Sequence, residues 1–431
     1  MVTTLRSLLR KLAQLTIWRY RPGIIGVTGS VGKTSTKLAI DAVLKKERRV
    51  RISVGNLNND LGLPLTILGD WMAEDLALVS HETPAGTRQF EKAMFWLKVI
   101  FVSLWRIAFR SAEYPEILIL EYGADRPGDI KYLLSIARPN VSVITAIGDV
   151  PVHVEFYGGP DDVAREKGRI IECLPAGGFA VLNHDDERVM GLKDRTRARV
   201  ISFGFQRGAE VQTTRFENRV RDGEPAGVSF KLEHSGSFVP VRIDHAFGRV
   251  QAYASAAAAC VGLIFGMNLV TIAEALAEYA PASGRMQVMP GVKDSLVIDD
   301  AYNASPLSMR AALATLQDLP AKRRIAVLGD MLEIGKYAVE AHEALGRAVA
   351  ESADILITVG PRAKFIAQAA RTARMRKTNI YSFDDAEGAW RPLVEMLRKG
   401  DLVLVKGSHA MQLENVVRAI HAVTPSSSSS V

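Results

Sequence analysis

The chain has 431 residues and a mass of 47.0 kDa, enough for two or three domains with real cores. Hydrophobic residues make up 48% and charged residues 23%, which excludes disordered, collagen-like and disulfide-stapled chains. Lys and Arg number 54 against 47 Asp and Glu, a net +7 that reads as spread along the chain; it fits an anionic ligand or surface, and no RNA-recognition or zinc-finger pattern points to nucleic acid.

Residues 1–22 form a basic amphipathic segment without the long apolar core or small-residue cleavage site of a secretory signal. From Pro22 onward, short apolar runs alternate with helical patterns. Ile24–Thr28 is strand-like and ends in a Gly-rich turn; Lys33–Lys46 has helical spacing. An insertion over about 70–115 holds a second apolar stretch, Ala93–Phe109. It is shorter than the ~20 residues of a spanning helix and contains Lys98 and Arg106. Two readings fit it: a helix packed on the body or on a dimer partner, or a helix lying in a membrane interface with its cations snorkelling.

Ile117–Glu121 and Val141–Ala146 read as buried strands, and Asp161–Cys173 as a helix. Between about 200 and 245 the pattern changes to short strands with turn signals, which predicts a small β-rich flap of the same domain. Val250–Phe265 is Ala-rich and helical. A second alternating series begins near Gly284, with strand-like runs at Leu296–Asp299, Arg324–Leu328, Ile355–Val359 and Leu402–Lys406. The alternation predicts an α/β fold. A mainly parallel-sheet domain with the small β-rich flap is expected over 23–283 and a smaller Rossmann-like α/β domain over 284–424, with a mobile Ser-rich tail at 425–431. Cys173 and Cys260 lie in helical-looking apolar stretches; two lone cysteines make no disulfide framework and predict a reducing cytoplasm.

The strongest local signal is Gly26–Thr36, GVTGSVGKTST, between a strand and a helix. Gly29 and Gly32 allow backbone amides to turn inward around phosphate oxygens, and the helix start adds positive potential. Ser30, Val31 and Ser35 complete the cradle, Lys33 reaches the terminal phosphates, and the Thr34 hydroxyl suits Mg²⁺. The strict P-loop spacing requires glycine where Val27 stands, with Gly26 one residue off, so this is a variant loop. Glu121 ends the ILILE strand at the carboxyl edge, where a carboxylate can share a Mg²⁺ with Thr34. His153 and Glu155 follow a second strand, and Lys167 lies in the helix DDVAREKGRII; taken alone, the histidine is an ordinary loop residue and the lysine a solvated one.

Eight segments change that reading. GVTGSVGKTSTK, GNLNNDLGLPLTIL, EYGADRPGDI, VHVEFYGGPDDVAREKGRI, VLNHDD, IDDAYNASPLSMRAAL, VLGDMLEIG and DLVLVKGSHAM occur in this order over roughly residues 23–420. In this set the chain resembles the Mur ligase family, and within it the members that add D-alanyl-D-alanine to UDP-N-acetylmuramoyl-tripeptide. The resemblance implies an ATP-dependent amide ligase of peptidoglycan precursor synthesis, joining a muramoyl-peptide carboxylate to an amine dipeptide through an acyl phosphate. It implies that Lys33 and the loop hold the ATP phosphates, that Thr34 and Glu121 hold one Mg²⁺, and that His153 is a ligand of a second. Lys167 matches a lysine that is carbamylated by CO₂ in relatives, giving an N6-carboxylysine whose oxygens are metal ligands. Asp299, Asp300, Tyr302 and Asn303 match the IDDAYN motif that contacts nucleotide, Arg285 resembles a phosphate- or nucleotide-contacting arginine, and Asn303 and Lys406 match the neighbourhood of the amine substrate.

Three departures stand out. The phosphate loop begins at residue 26, so the N-terminal domain that binds the UDP-sugar in the family is expected to be absent. The family stretch Gly-x-His-Asn-x-x-Asn reads Gly248-Arg249-Val250-Gln251-Ala252-Tyr253-Ala254, leaving Gln251 as the one retained amide for adenine. VKGSRG becomes VKGSHA, with His409 and Ala410. A polyglutamate- or cyanophycin-type ligase of the same architecture, or an ATP-binding partner protein without turnover, are the alternatives. The expected place is the cytoplasm, peripheral to the inner membrane face if 93–109 touches lipid.

Overall fold

A computed structural model describes residues 2–55, 57–79 and 87–422 of the chain. The Ser-rich tail and part of the insertion lie outside the described residues. Two sheets organise the rest. The first has nine strands in the order β2-β3-β1-β4-β5-β6-β7-β8-β9. These are β1 (Gly23–Thr28), β2 (Val50–Ile52), β3 (Ile117–Glu121), β4 (Val141–Ile144), β5 (Phe179–Asn183), β6 (Arg199–Gly204), β7 (Val211–Arg221), β8 (Glu224–His234) and β9 (Ser237–Asp244). All pairings from β2 through β7 are parallel; β7–β8 and β8–β9 are antiparallel. The β-rich region expected as a flap of this domain continues the same sheet. Its strands of 11, 11 and 8 residues extend the same sheet, and their alternating buried positions (Val228, Phe230, Leu232; Val239, Val241, Ile243) continue its core.

Helices cover both faces. They are α1 (Val2–Tyr20), α2 (Lys33–Leu44), α3 (Gly62–Leu68), α4 (Ala73–Val79), α5 (Gln89–Ala108), α6 (Asp129–Ile136), α7 (Pro160–Glu172), α8 (Glu187–Met190), α9 (Arg249–Ile264) and α10 (Leu269–Ala277). Residues alternate along each central strand. Ile25, Val27, Ile117, Ile119, Val141 and Val143 join α2, α9 and α10 in one core. Ile24, Leu118, Leu120 and Ile144 join α1, α3, α5, α6 and α7 in another. Burial on both faces is why these strands read as continuous apolar runs in the sequence. The alanines of α9 let α2 come close: a Cβ on Gly262 would lie 2.8 Å from Ile272 and 3.0 Å from Val43.

The second sheet has six strands in the order β10-β11-β15-β12-β13-β14, parallel except for the β10–β11 pair. They are β10 (Gln287–Gly291), β11 (Ser295–Asp299), β12 (Arg323–Gly329), β13 (Ile355–Val359), β14 (Ile380–Phe383) and β15 (Asp401–Lys406). Helices α11 (Pro306–Asp318), α12 (Ala338–Ser352), α13 (Lys364–Thr372), α14 (Ala386–Met396) and α15 (Glu414–Ile420) flank it. The two sheets meet through an apolar seam in which Val154, Val163 and Phe247 pack with Met286, Met309 and Leu313.

Candidate active site

β1 lies between β3 and β4, with Val27 opposite Glu121 and Thr28 opposite Ile144. The carboxyl edge of this trio is the crevice where open α/β sheets bind ligands. The Gly-rich loop leaves β1 there and turns into α2. Gly29 has φ +146°, and a Cβ on it would lie 2.0 Å from Thr145 Oγ1; Gly32 has φ +86°. Both conformations favour glycine. The Ser30 and Val31 amides donate to Ala146 O, which pins the loop to the strand edge. No side chain caps the start of α2, so its first amides are available to an anion. The Ser30 hydroxyl is buried without a protein partner. An acceptor-rich ligand such as a phosphate fits that loop.

One cavity of about 330 Å³ opens at this edge, and residues of both sheets line it. Gly29 through Ser35, Glu121, His153 and Lys167 come from the first sheet's side. Arg285, Asp300, Tyr302, Asn303 and Lys406 come from the second. Most of the site residues expected from the sequence thus meet in one place. Gln251 and Asp299 do not line it. Gln251 is fully buried; its amide donates to Arg285 O at 3.4 Å and accepts from Tyr279 Oη at 2.8 Å, so it braces the junction between the two halves of the chain. Asp299 accepts from the Ala301 amide and shapes the turn after β11.

The electrostatics centre on Glu121, which is almost fully buried. Its carboxylate accepts from the Thr34 hydroxyl at 3.3 Å and from the Asn58 amide at 3.2 Å, and lies 3.5 Å from Lys37 Nζ. Burial alone would raise its pKa, but Lys37, Lys33 and Arg285 outweigh burial and hold it below the usual carboxylate range. Lys33 donates to Gly29 O at 2.9 Å, and burial lowers its pKa. Lys37 donates to Ser53 O at 2.7 Å and Gly55 O at 3.0 Å, and burial lowers it too. Lys167 is pushed down to about 7 by burial and by the nearby Lys33. Several buried cations around one buried carboxylate leave a positive surplus that an anionic ligand would satisfy.

Local structure explains why Lys167 points inward. α7 starts at Pro160 with Asp161 and Asp162 in its first turn, which suits the helix dipole. Its buried face carries Val163, Lys167, Ile170 and Ile171 at helical spacing. Glu166, next on that face, accepts from the Gly128 and Ile130 amides at 3.0 Å each and so ties α7 to the start of α6. Lys167 is a core position occupied by an amine.

From the other side, Arg285 Nη2 donates to Thr34 Oγ1 at 3.2 Å, and its guanidinium lies 4.1 Å from the Tyr302 ring centre. His409 stacks on that ring with centroids 5.5 Å apart. Lys406 Nζ contacts Asp300 at 2.6 Å and donates to Asn303 O at 2.8 Å. Burial raises the Asp300 pKa, with Lys406 opposing it. His153 has φ 67° and stands between the halves, with Nε2 3.3 Å from Asp125 and Nδ1 2.9 Å from Glu333. That contact holds Glu333 below the ordinary carboxylate range.

Lys37, Asn58, Asp125 and Glu333 are functional candidates that sequence reasoning passed over. Each sits inside a quoted motif, but nothing in its spacing announces a role. Two further cavities adjoin the first. A groove of about 910 Å³ shares Asn58, Asn59 and Asp125 with it and runs past Arg6 and Arg10 of α1 and Arg126. A recess of about 650 Å³ lies on the other side of the loop, beside Thr36, Asn183, Arg249, Val250 and Tyr253.

For a metal, no group of three or more His, Cys, Asp and Glu converges among the described residues. Thr34 and Glu121 supply one hydroxyl and one carboxylate. That donor set suits Mg²⁺, which takes few protein oxygens and completes its shell with phosphate oxygens and water.

The chain is similar to known proteins along most of its length. The Mur ligase middle domain matches residues 27–78 and 104–262, and the Mur ligase glutamate ligase domain matches 284–409. UDP-N-acetylmuramoyl-tripeptide–D-alanyl-D-alanine ligase of Mycobacterium tuberculosis is 31% identical over 420 residues, covering 93% of this chain and 73% of its own. The Bacillus subtilis enzyme of that name is 28% identical over 412 residues, covering 95% and 78%. Among solved structures, MurF of Thermotoga maritima in complex with ADP superposes with a TM-score of 0.76 at 28% identity, over 96% of this chain and 83% of that one. Folylpolyglutamate synthase of M. tuberculosis, at 19% identity and a TM-score of 0.66, shares the fold.

Proposed function

Because the chain belongs to the Mur ligase family, we propose that its cavity forms an amide bond at the expense of ATP, adding D-alanyl-D-alanine to the peptide of a muramoyl tripeptide in peptidoglycan precursor synthesis. The observation that carries this reading is the convergence of Lys33, Glu121, Lys167 and Arg285 on one cavity beside an uncapped helix start. The names of the relatives, and the ADP in the T. maritima complex, support the substrates and the nucleotide.

The chemical difficulty is bringing an anionic carboxylate up to an anionic γ-phosphate. Loop amides and Lys33 bind the phosphates, and Arg285 reaches them from the opposite wall when the two halves are closed, as they are here. Their charges are already in place, so little reorganisation is required as charge moves during transfer. The groove past Asn58 and Arg126 leads the acceptor carboxylate to that point; its oxygen attacks the γ-phosphorus, the bond from that phosphorus to the β,γ-bridging oxygen breaks, and the products are an acyl phosphate and ADP. Lys406, Asn303 and His409 line the wall from which the amine would approach. Its attack on the acyl carbon expels phosphate. The recess beside Asn183 and Tyr253 would take the adenosine, with Val250 rather than Gln251 on its wall.

Thr34 and Glu121 would hold one Mg²⁺ and His153 would help hold a second, supplying charge neutralisation on the phosphates. Lys167 would enter that set as a carbamate: its neutral Nζ attacks CO₂, an N–C bond forms, and the amine proton leaves to solvent. Burial near other cations disfavours the ammonium, which supports this assignment. We place the chain in the cytoplasm with residues 93–109 against the inner membrane face; no helix of the described residues is long and apolar enough to cross a membrane.

The test is phosphate release with ATP and Mg²⁺, with and without UDP-N-acetylmuramoyl-tripeptide plus D-alanyl-D-alanine. The expected outcome is release that requires both, with the ligated product seen by mass spectrometry and lost in Lys33→Ala. ATP binding without stimulated release by any acceptor–amine pair would sink the reading.

A further inference from the structure

The largest feature outside the cavity is an uncovered apolar face on α5. Phe95, Val99 and Ser103 of this helix face the body. Phe90, Met94, Leu97, Phe101, Leu104 and Trp105 face out, with Phe90 78% and Phe101 66% exposed. The outward set recurs at helical spacing over four turns, so it is a continuous stripe rather than scattered residues. α1 lies alongside: Arg19 Nε donates to Ile107 O at 3.2 Å and Tyr20 Oη to Arg106 O at 2.7 Å. It adds Leu15 and Trp18, the latter 68% exposed. Both helices lie mostly or wholly outside the family match, which skips 79–103 and starts at 27.

Charge follows the same two segments. Residues 1–22 and 87–113 hold ten Lys and Arg and two acidic residues, a surplus of eight against a net +7 for the whole chain. The positive charge is therefore concentrated here and not spread along the sequence. Lys98 is paired with Asp75 of α4 at 2.7 Å, and Arg88 is paired with Glu91. Lys11, Arg21 and Arg110 are exposed, the last two near Trp18, Trp105 and Phe109 at the end where the helices meet. Tryptophan beside arginine at the edge of an apolar face is the composition of a bilayer interface. A two-fold contact between copies would set this surplus against itself.

We infer that α1 and α5 together form a platform that docks on an anionic bilayer. This rests on the membrane contact proposed above and deepens it by assigning the lipid class and a second helix. α1 also links the platform to catalysis. Its first half lines the acceptor groove with Arg6 and Arg10, so the groove lies within one helix length of the docked surface, roughly 30 Å.

Flotation of the full chain with vesicles of phosphatidylcholine alone, or containing phosphatidylglycerol, tests this, with light scattering in the absence of vesicles. The expected result is binding to phosphatidylglycerol vesicles at least 10-fold stronger than to phosphatidylcholine, weakened by salt. It should be lost in Leu97→Glu/Phe101→Glu and reduced in Arg21→Glu/Arg110→Glu, with unchanged thermal melts. No binding to either vesicle overturns both the membrane contact and the platform. Equal binding to both, or unaltered binding by the arginine variant, overturns the platform alone. A dimer that Leu97→Glu/Phe101→Glu dissociates would identify the face as a self-interface and overturn it as well. None of these outcomes bears on product formation, which tests the ligase reading separately.

Discussion

On the first-sheet wall of the cavity, Lys33, Lys37, Glu121 and Lys167 are held by one sheet and the helices packed on its two faces, and each is buried or nearly so. On the second-sheet wall, Arg285 stacks on Tyr302 and reaches across to Thr34, and the half-exposed Glu333 touches His153. The first wall is complete within its own domain. The second holds Lys406, Asp300 and Asn303 together by itself, but the contacts of Arg285 with Thr34 and of Glu333 with His153 exist only where it lies against the first. Groups on the first wall should therefore set the chemistry and local stability together, whereas groups on the second should set how often the two walls meet.

The largest expected effect is on the first wall. Lys33→Ala removes the charge that the proposed function sets on the terminal phosphates, and a loss of ~10³-fold in kcat is expected, the scale for deleting one preorganised stabilising group. Single-turnover phosphate release measures it. A loss under tenfold would move the phosphate-binding role elsewhere and break the comparison at its strongest point.

Lys167→Ala is expected to lower kcat by ~10²-fold or more. The carbamate proposed for it would give it a signature that a packing role lacks. With Nζ brought down to about 7, the neutral amine that CO₂ requires is scarce at pH 6 and dominant at pH 8. A ¹³C carbamate signal from labelled bicarbonate should rise across that interval and be absent in Lys167→Ala. A signal that stays absent throughout would remove the carbamate while leaving the phosphate loop intact.

Glu121 ties stability to pH. Its folded pKa lies below its unfolded value, so its contribution is fully present above the ordinary carboxylate range and fades as pH falls through the depressed folded value. Glu121→Gln should flatten the fall of Tm between about pH 5 and 3, near the ordinary carboxylate pKa of about 4.3. At neutral pH it leaves Lys37 buried without its charge partner, so a loss on the order of 3 kcal/mol is expected in denaturant unfolding. An unchanged acid limb would mean that Lys37 and Lys33 do not govern this carboxylate.

How much of this could be read in the sequence follows the same division. The phosphate loop, Glu121 and the strand runs were legible because two-faced burial and tight turns restrict residue type locally. Lys167 looked like a solvated helix residue until the resemblance marked it, because an amine at a core position gives no periodic signal. Gln251 was misread in the other direction. Its amide type suited adenine, but the fold points it at Tyr279 and the Arg285 carbonyl. Glu333 was invisible because its partner, His153, lies 180 residues earlier and the pair exists only across the seam. The β-rich stretch at 200–245 was seen as strands, but pairing partners are a property of the sheet, and β6–β7 joins it to the parallel core.

The smallest and most discriminating effect belongs to that seam. Glu333→Ala removes the group 2.9 Å from His153 Nδ1 and leaves His153 with Asp125 at 3.3 Å. Glu333 is absent from the cavity lining, so any effect of its loss would come through the orientation of the histidine and the contact between the two halves. An outer partner of this kind is worth about 10-fold in activity. The loss should fall on kcat, with ATP affinity unchanged within about twofold, if, as proposed, the loop and Lys33 bind the phosphates without the second wall. Small-angle scattering of the variant should show a larger radius of gyration than the native chain under the same nucleotide. If activity falls while the radius stays the same, Glu333 acts on the histidine alone and closure is held by Arg285 and the apolar seam around Val154 and Met309. If ATP affinity falls instead, the second wall takes part in nucleotide binding before closure, and the division between the two walls does not hold.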